Sequence, residues 1–102
     1  MISCSIFDQY YEHALCDLGA SVNIMPMVIY EKLLYPSLSP TYMSVQLADS
    51  TIQYPEGIAK NVLVRVWDSF ILADFIVMDI EDDLRIELIL GQPVWKALVW
   101  FW

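Results

Sequence analysis

The chain has 102 residues, of which 58% are hydrophobic and 18% charged, and its 13 acidic and 5 basic side chains give a net charge of −8. That is one domain's worth of chain with enough apolar material for a packed core, which excludes a disordered segment. The acidic balance repels a phosphate backbone, and no Lys/Arg stripe interleaves the aromatic residues, so nucleic-acid binding is excluded as well.

In chain order the sequence reads as many short strands. Residues 4–7 and 11–16 are two strands joined by a turn at Asp8 and Gln9. Asp17-Leu18-Gly19-Ala20-Ser21 is a turn-forming segment between apolar runs, and residues 22–25 form a short strand after it. Pro26 suits the first position of a helix over residues 27–34, with Val28, Ile29 and Leu33 on one side. Residues 35–40, with two prolines, are a loop. Val45 and Leu47 alternate toward one face, Ala48-Asp49-Ser50-Thr51 is a turn signal, and residues 52–54 leave it, which predicts a hairpin. Residues 58–66 make a long strand with Val62, Val64 and Val66 in phase. A turn at Asp68 and Ser69 leads into an apolar strand over residues 70–79. Residues 80–87 are an acidic loop. Leu88-Ile89-Leu90-Gly91 is a buried strand, and residues 92–98 a short helix. Strands this short and this closely spaced predict an all-β fold, a small barrel or sandwich with one or two short helices, and not a parallel α/β sheet.

No linker or repeat divides the chain, so one domain is expected over residues 1–102. The apolar tail, residues 97–102, reads as a strand or as the point where a longer chain was divided, which predicts a domain truncated at its C-terminus. The apolar fraction exceeds what a lone domain of this size needs, which points to a partner subunit covering some of it. Trp95, Trp100 and Trp102 are expected in the core or facing that partner. Cys4, Cys16 and His13 do not supply a zinc set, and they read as two buried thiols and a strand side chain. Glu81-Asp82-Asp83 lacks the spacing and the glycine of a calcium loop and reads as solvated. No metal or cofactor is implied. Residues 1–16 carry Asp8 and Glu12 where a signal peptide would be apolar, and no uncharged run approaches a membrane span. An intracellular, cytoplasmic location without a membrane partner is expected.

The chemistry centres on Asp17-Leu18-Gly19 after an apolar strand. Ala14, Leu15 and Cys16 would hold Asp17 at the edge of the core, and Gly19 would let the chain turn sharply there. A carboxylate so placed is costly unless satisfied. Two of them side by side can share one proton, the charged one activating water and the protonated one polarising a carbonyl. Asp-x-Gly alone is more often an ordinary turn.

The longer pattern is more specific. Residues 14–26, Ala-Leu-Cys-Asp-Leu-Gly-Ala-Ser-Val-Asn-Ile-Met-Pro, resemble the active-site segment of plant gypsy-type retrotransposon proteases. Residues 45–52 with Tyr54-Pro55-Glu56-Gly57 are similar to that family's flap. Residues 75–79 and 88–93 are similar to its later core strands and to the apolar-apolar-Gly motif before its final helix. The matches occur in order over roughly residues 3–97. The resemblance implies a retropepsin-like acid protease fold, a small closed β-barrel working as a homodimer on an extended peptide. Asp17 would be the catalytic carboxylate, with Leu18, Gly19, Ala20 and Ser21 as its loop. Ala48, Asp49, Ser50 and Thr51 would be the flap tip, and Ile89, Leu90 and Gly91 the strand that supports the loop from behind. Leu18 stands where aspartic proteases at large have Thr or Ser. No second Asp-x-Gly occurs, so one chain supplies one carboxylate. Two other readings stay open: a catalytically silent domain that keeps this fold for dimerisation or peptide binding, and a protease-like domain of a ubiquitin-shuttle adaptor.

Overall fold

The computed structural model describes residues 2–7, 9–17, 19–33, 37–46, 50–80 and 88–100. Six of its strands close a barrel. They are β1 (Ile2–Ile6), β2 (Gln9–Cys16), β3 (Asn23–Pro26), β6 (Gly57–Val66), β7 (Ser69–Met78) and β8 (Leu88–Leu90), in the order β1-β2-β8-β3-β7-β6. The remaining two, β4 (Val45–Gln46) and β5 (Ile52–Gln53), form a separate hairpin. Helix α1 (Met27–Lys32) follows β3, and α2 (Gln92–Trp100) follows β8.

Alternation builds the barrel wall. On β6, Val62, Val64 and Val66 are wholly buried while Leu63 and Arg65 between them are exposed. Their partners on β7, Ile71 and Ala73, point inward with Phe75 and Val77. The core is completed by Cys4, Ile6, Tyr11, Ala14, Met25, Leu88 and Leu90, with Ile29 from α1, Leu33 just after it, and Val94 and Leu98 from α2. Each fully buried aliphatic side chain contributes about 1.5–3 kcal/mol relative to leaving it in water. The outer row Arg65–Phe70 is solvated, with the guanidinium 5.6 Å from the ring centroid.

Two irregularities have local causes. Ala59 pairs with Phe75 but Val62 with Ala73, so β6 carries one extra residue there. Asn61 takes it up at φ 54, and its backbone N–H donates to the Asp74 carboxylate at 2.9 Å. The β6–β7 turn holds Trp67 at φ 53, one residue earlier than the turn expected at Asp68 and Ser69.

Helix α1 departs from the reading of its apolar face. Ile29 and Leu33 are buried one turn apart, but Val28, a 100° step away from Ile29, is 47% exposed. Pro26 is not the first helical residue. It ends β3 with φ −60 and ψ 145 and caps the helix from outside, its missing N–H falling where the helix needs none. Of the two cysteines, Cys4 is buried as expected and Cys16 is only half-buried. His13 is an exposed strand residue. Trp95 is 41% exposed and so lies outside the core. Trp100 and Trp102 are not among the described side chains, nor is the acidic run at 81–83.

A strap at residues 37–40 crosses the start of β6, where Ser39 and Ile58 exchange two backbone hydrogen bonds of 2.9 and 2.8 Å. Gly57 makes room for it: a Cβ there would stand 2.8 Å from the Ser39 carbonyl oxygen and 2.9 Å from Leu38 Cβ. Gly57→Ala should therefore cost about 1–3 kcal/mol, typical of overpacking. A lowered urea midpoint with an unchanged m-value would report it.

Candidate active site

Strands β2 and β3 are joined by the short loop that carries Asp17, yet they do not pair. Strand β8 runs between them, parallel to β2 and antiparallel to β3. The loop thus straddles the end of β8, and the chain leaves β8 underneath it at Gly91.

Three consecutive residues bind the loop from below. The Leu90 carbonyl accepts the Asp17 N–H at 3.0 Å, extending the β2–β8 ladder. Gly91 N–H donates to Asn23 Oδ1 at 2.8 Å. Gln92 N–H donates to the Ala20 carbonyl at 2.9 Å. Inside the loop, Ala20 N–H donates to the Asp17 carbonyl at 3.1 Å, and Gly19 N–H donates to Asp17 Oδ1 at 2.9 Å. The Asp17 side chain is therefore turned back onto its own loop by a charge-assisted bond. Gly19 does not adopt a left-handed backbone. Its missing side chain serves the close approach instead, since a Cβ would sit 3.3 Å from Asp17 Oδ1.

In the single chain Asp17, Gly19 and Ser21 are exposed, while Ala20 is half-buried. The expectation of a carboxylate at the edge of the core holds for its backbone, which β8 anchors, and not for its side chain, which meets water. Desolvation would begin only when another molecule covers the loop.

Of the other residues singled out from sequence, Leu90 and Gly91 are buried behind the loop and Ile89 is half-buried on the opposite face of β8. Ser50 and Thr51 are exposed at the end of the β4–β5 hairpin, with Ser50 at φ 71. Leu18, Ala48 and Asp49 lie outside the described residues.

Apolar side chains connect the loop to the hairpin. Ile24, Ile76 and Met78 form a second small cluster on the outer face of the β3–β7 wall. Val22, Val45, Ile58, Ile80 and Ile89 pack against it half-buried. Val45 belongs to β4, so the hairpin is seated on this patch beside the loop. An open groove of about 470 Å³ runs alongside, bounded by Ser21, Met43, Ile58, Leu72, Asp74 and Ile76 among others. Ile52 and Tyr54, at 62% and 74% exposure, stand out from the hairpin and the segment after it.

Sequence reading missed Asn23, which is 1% exposed and carries the one buried side-chain amide among the described residues. Its signal was present: one amide in the apolar run Val22-Asn23-Ile24-Met25. Among the described residues no three His, Cys, Asp or Glu side chains gather as a metal site, and no helix is long and apolar enough to cross a membrane.

No protein-family model and no curated protein matches the chain. Among solved structures it is similar to the retroviral protease-like domain of Ddi1 from Leishmania major. The two are 23% identical, the match covers 94% of this chain and 74% of that one, and the TM-score is 0.68. The closed six-stranded barrel, the separate hairpin and the two short helices are thus arranged in a retropepsin-like fold.

Proposed function

We propose that this chain is one half of an aspartic endopeptidase, active as a homodimer that cleaves the polyprotein of a plant gypsy-type retrotransposon. The observation that carries the reading is the Asp17 loop: an Asp-x-Gly carboxylate fixed at its backbone by Leu90, steered by Gly19 N–H, and left open to an approaching partner on a retropepsin-like fold. The sequence resemblance over residues 14–26 supplies the retrotransposon assignment.

In the proposed dimer a two-fold axis brings Asp17 beside its copy. The pair holds one proton. The ionised carboxylate takes a proton from a water molecule as the water oxygen bonds to the scissile carbonyl carbon. The other carboxyl donates its proton to the carbonyl oxygen. The tetrahedral gem-diol then breaks its C–N bond. The carboxyl that took the water proton gives it to the leaving nitrogen, and the other carboxylate takes a hydroxyl proton from the gem-diol. The product acid keeps the water oxygen, and the pair again holds one proton. The substrate binds extended between hairpin and loop. Main-chain hydrogen bonds supply affinity, and half-buried Val22 and Ile89, packed on buried Ile76, take apolar side chains. Ile52 and Tyr54 close from above and exclude water.

The test is cleavage of unfolded peptides at mildly acidic pH, with a pepstatin-type inhibitor, alongside sedimentation to establish the dimer. Inhibitable cleavage that scales with dimer fraction is expected. A stable dimer that binds peptide and leaves it intact would replace this reading with that of a silent peptide-binding domain.

A further inference from the structure

We propose that Asn23 is a positioning residue for Asp17, acting through Gly91; this rests on the peptidase reading above. Asn23 lies on β3 with its side chain on the barrel-interior side, the face that Met25 shares. An amide in that setting is expensive to bury unless both of its ends are bonded. Both are: Oδ1 accepts Gly91 N–H at 2.8 Å, and Nδ2 donates to the Asp74 carbonyl at 3.1 Å. The two partners also fix the amide's orientation, because turning it over would set donor against donor and acceptor against acceptor.

The place of this bond matters more than its strength. Residues 90, 91 and 92 are each bonded to the segment 17–23, and at Gly91 the partner is a side chain. Gly91 passes so close beneath the loop that an added Cβ would overlap the Val22 carbonyl oxygen. On one side of Gly91, Leu90 holds the Asp17 N–H. On the other, Gln92 holds Ala20, whose own N–H returns to the Asp17 carbonyl. Asn23 pins the centre of this three-point attachment to the barrel wall at Asp74. Without it the end of β8 can slide relative to the loop, and the Asp17 carboxylate moves with its backbone. Displacements of about an ångström at a reacting group cost on the order of 100-fold in rate.

Two variants test this. Asn23→Leu removes both bonds at similar volume, and kcat should fall about 10- to 100-fold with KM changed less than about twofold. Asn23→Asp offers a conditional rescue. Protonated, it accepts from Gly91 and donates to Asp74; ionised, it sets a negative charge against the Asp74 carbonyl. Burial and the bond donated by the neutral acid both raise its titration above the ordinary carboxyl range. Its activity should therefore match the parent at low pH and fall away as pH rises through that titration, a step absent from the parent profile. The titratable groups on the elements packed against β3 are Asp74 on β7, Tyr30, Glu31 and Lys32 on α1, and Lys96 on α2, with Asp17 on the adjoining loop. All are unchanged in both proteins, so the added step belongs to position 23.

Amide hydrogen exchange provides a readout that needs no catalysis. In folded Asn23→Leu, or in Asn23→Asp at neutral pH, the Asp17 and Gln92 amides should exchange at least about tenfold faster while β6 and β7 amides are unchanged. Unchanged exchange at Asp17, or an Asn23→Asp pH profile superimposable on that of the parent, would overturn the proposal. If the parent cleaves nothing, the peptidase reading fails by itself, and the exchange rates still decide whether Asn23 holds the loop.

Discussion

Asp17→Asn should reduce peptide cleavage by at least about 10³-fold while leaving the fold intact. The amide keeps an Oδ1 that can accept Gly19 N–H, and the backbone bond from Asp17 N–H to Leu90 is untouched. What is lost is the ability to take a proton from water or to hold one for the scissile carbonyl. In a symmetric dimer the substitution removes both carboxylates at once, so no partly active half remains. The side chain is exposed in the single chain, and thermal or urea unfolding of the monomer should therefore shift by less than about 0.5 kcal/mol. Steady-state kinetics on an unfolded peptide decide it. Residual activity within tenfold of the parent would place the chemistry elsewhere on the molecule.

Gly91→Ala should have the largest effect on stability. Its Cβ would overlap the Val22 carbonyl oxygen, stand 2.7 Å from the Ala20 carbonyl oxygen and 2.9 Å from the Val22 carbonyl carbon. All three are backbone atoms of one loop, so no side-chain rotation relieves the clash. Either β8 withdraws from between β2 and β3 or the loop lifts off it. A cost of about 3 kcal/mol or more follows, at the upper end of overpacking, and that is a large part of the 5–15 kcal/mol typical of a whole domain. Urea denaturation should show a much lower midpoint, or no folded baseline. Gly19→Ala is the informative contrast. Its Cβ would meet only Asp17 Oδ1, at 3.3 Å, on the exposed side of the same loop. It should cost less than about 1 kcal/mol in stability yet impair turnover, because the group that must give way is the carboxylate itself. Equal destabilisation by the two substitutions would mean that the strand does not run beneath the loop as described.

Much of the barrel could be read from local patterns. Val62, Val64 and Val66 alternate with exposed residues as their spacing predicted, the hairpin falls between Val45 and Gln53, and the final helix starts at Gln92. The Asp17 loop was legible as a segment because turn-forming residues stand between two apolar runs. Other features were not, for identifiable reasons. That β8 separates β2 from β3 is a pairing between distant parts of the chain, and no local periodicity records it. Val28 falls off the buried face of α1 because Val28 and Ile29, both apolar and adjacent in sequence, lie 100° apart around the helix. The bulge at Asn61 did leave a trace. Ala59 and Val62 are both buried but three apart, a spacing that a regular strand cannot give. Asn23 is inconspicuous in the sequence because a polar residue beside a turn looks like part of the turn. Only the position of Gly91, supplied by the far end of the chain, shows why an amide belongs there.

The insertion of β8 between two strands that are neighbours in sequence also sets an order of assembly. A growing polypeptide can form the β1–β2 hairpin and the β6–β7 hairpin early, from residues close together along the chain. The seat for Asp17 does not exist until Leu90, Gly91 and Gln92 have been synthesised and threaded into place. On the peptidase reading, a nascent fragment that ends before residue 88 carries the carboxylate without the scaffold that would aim it.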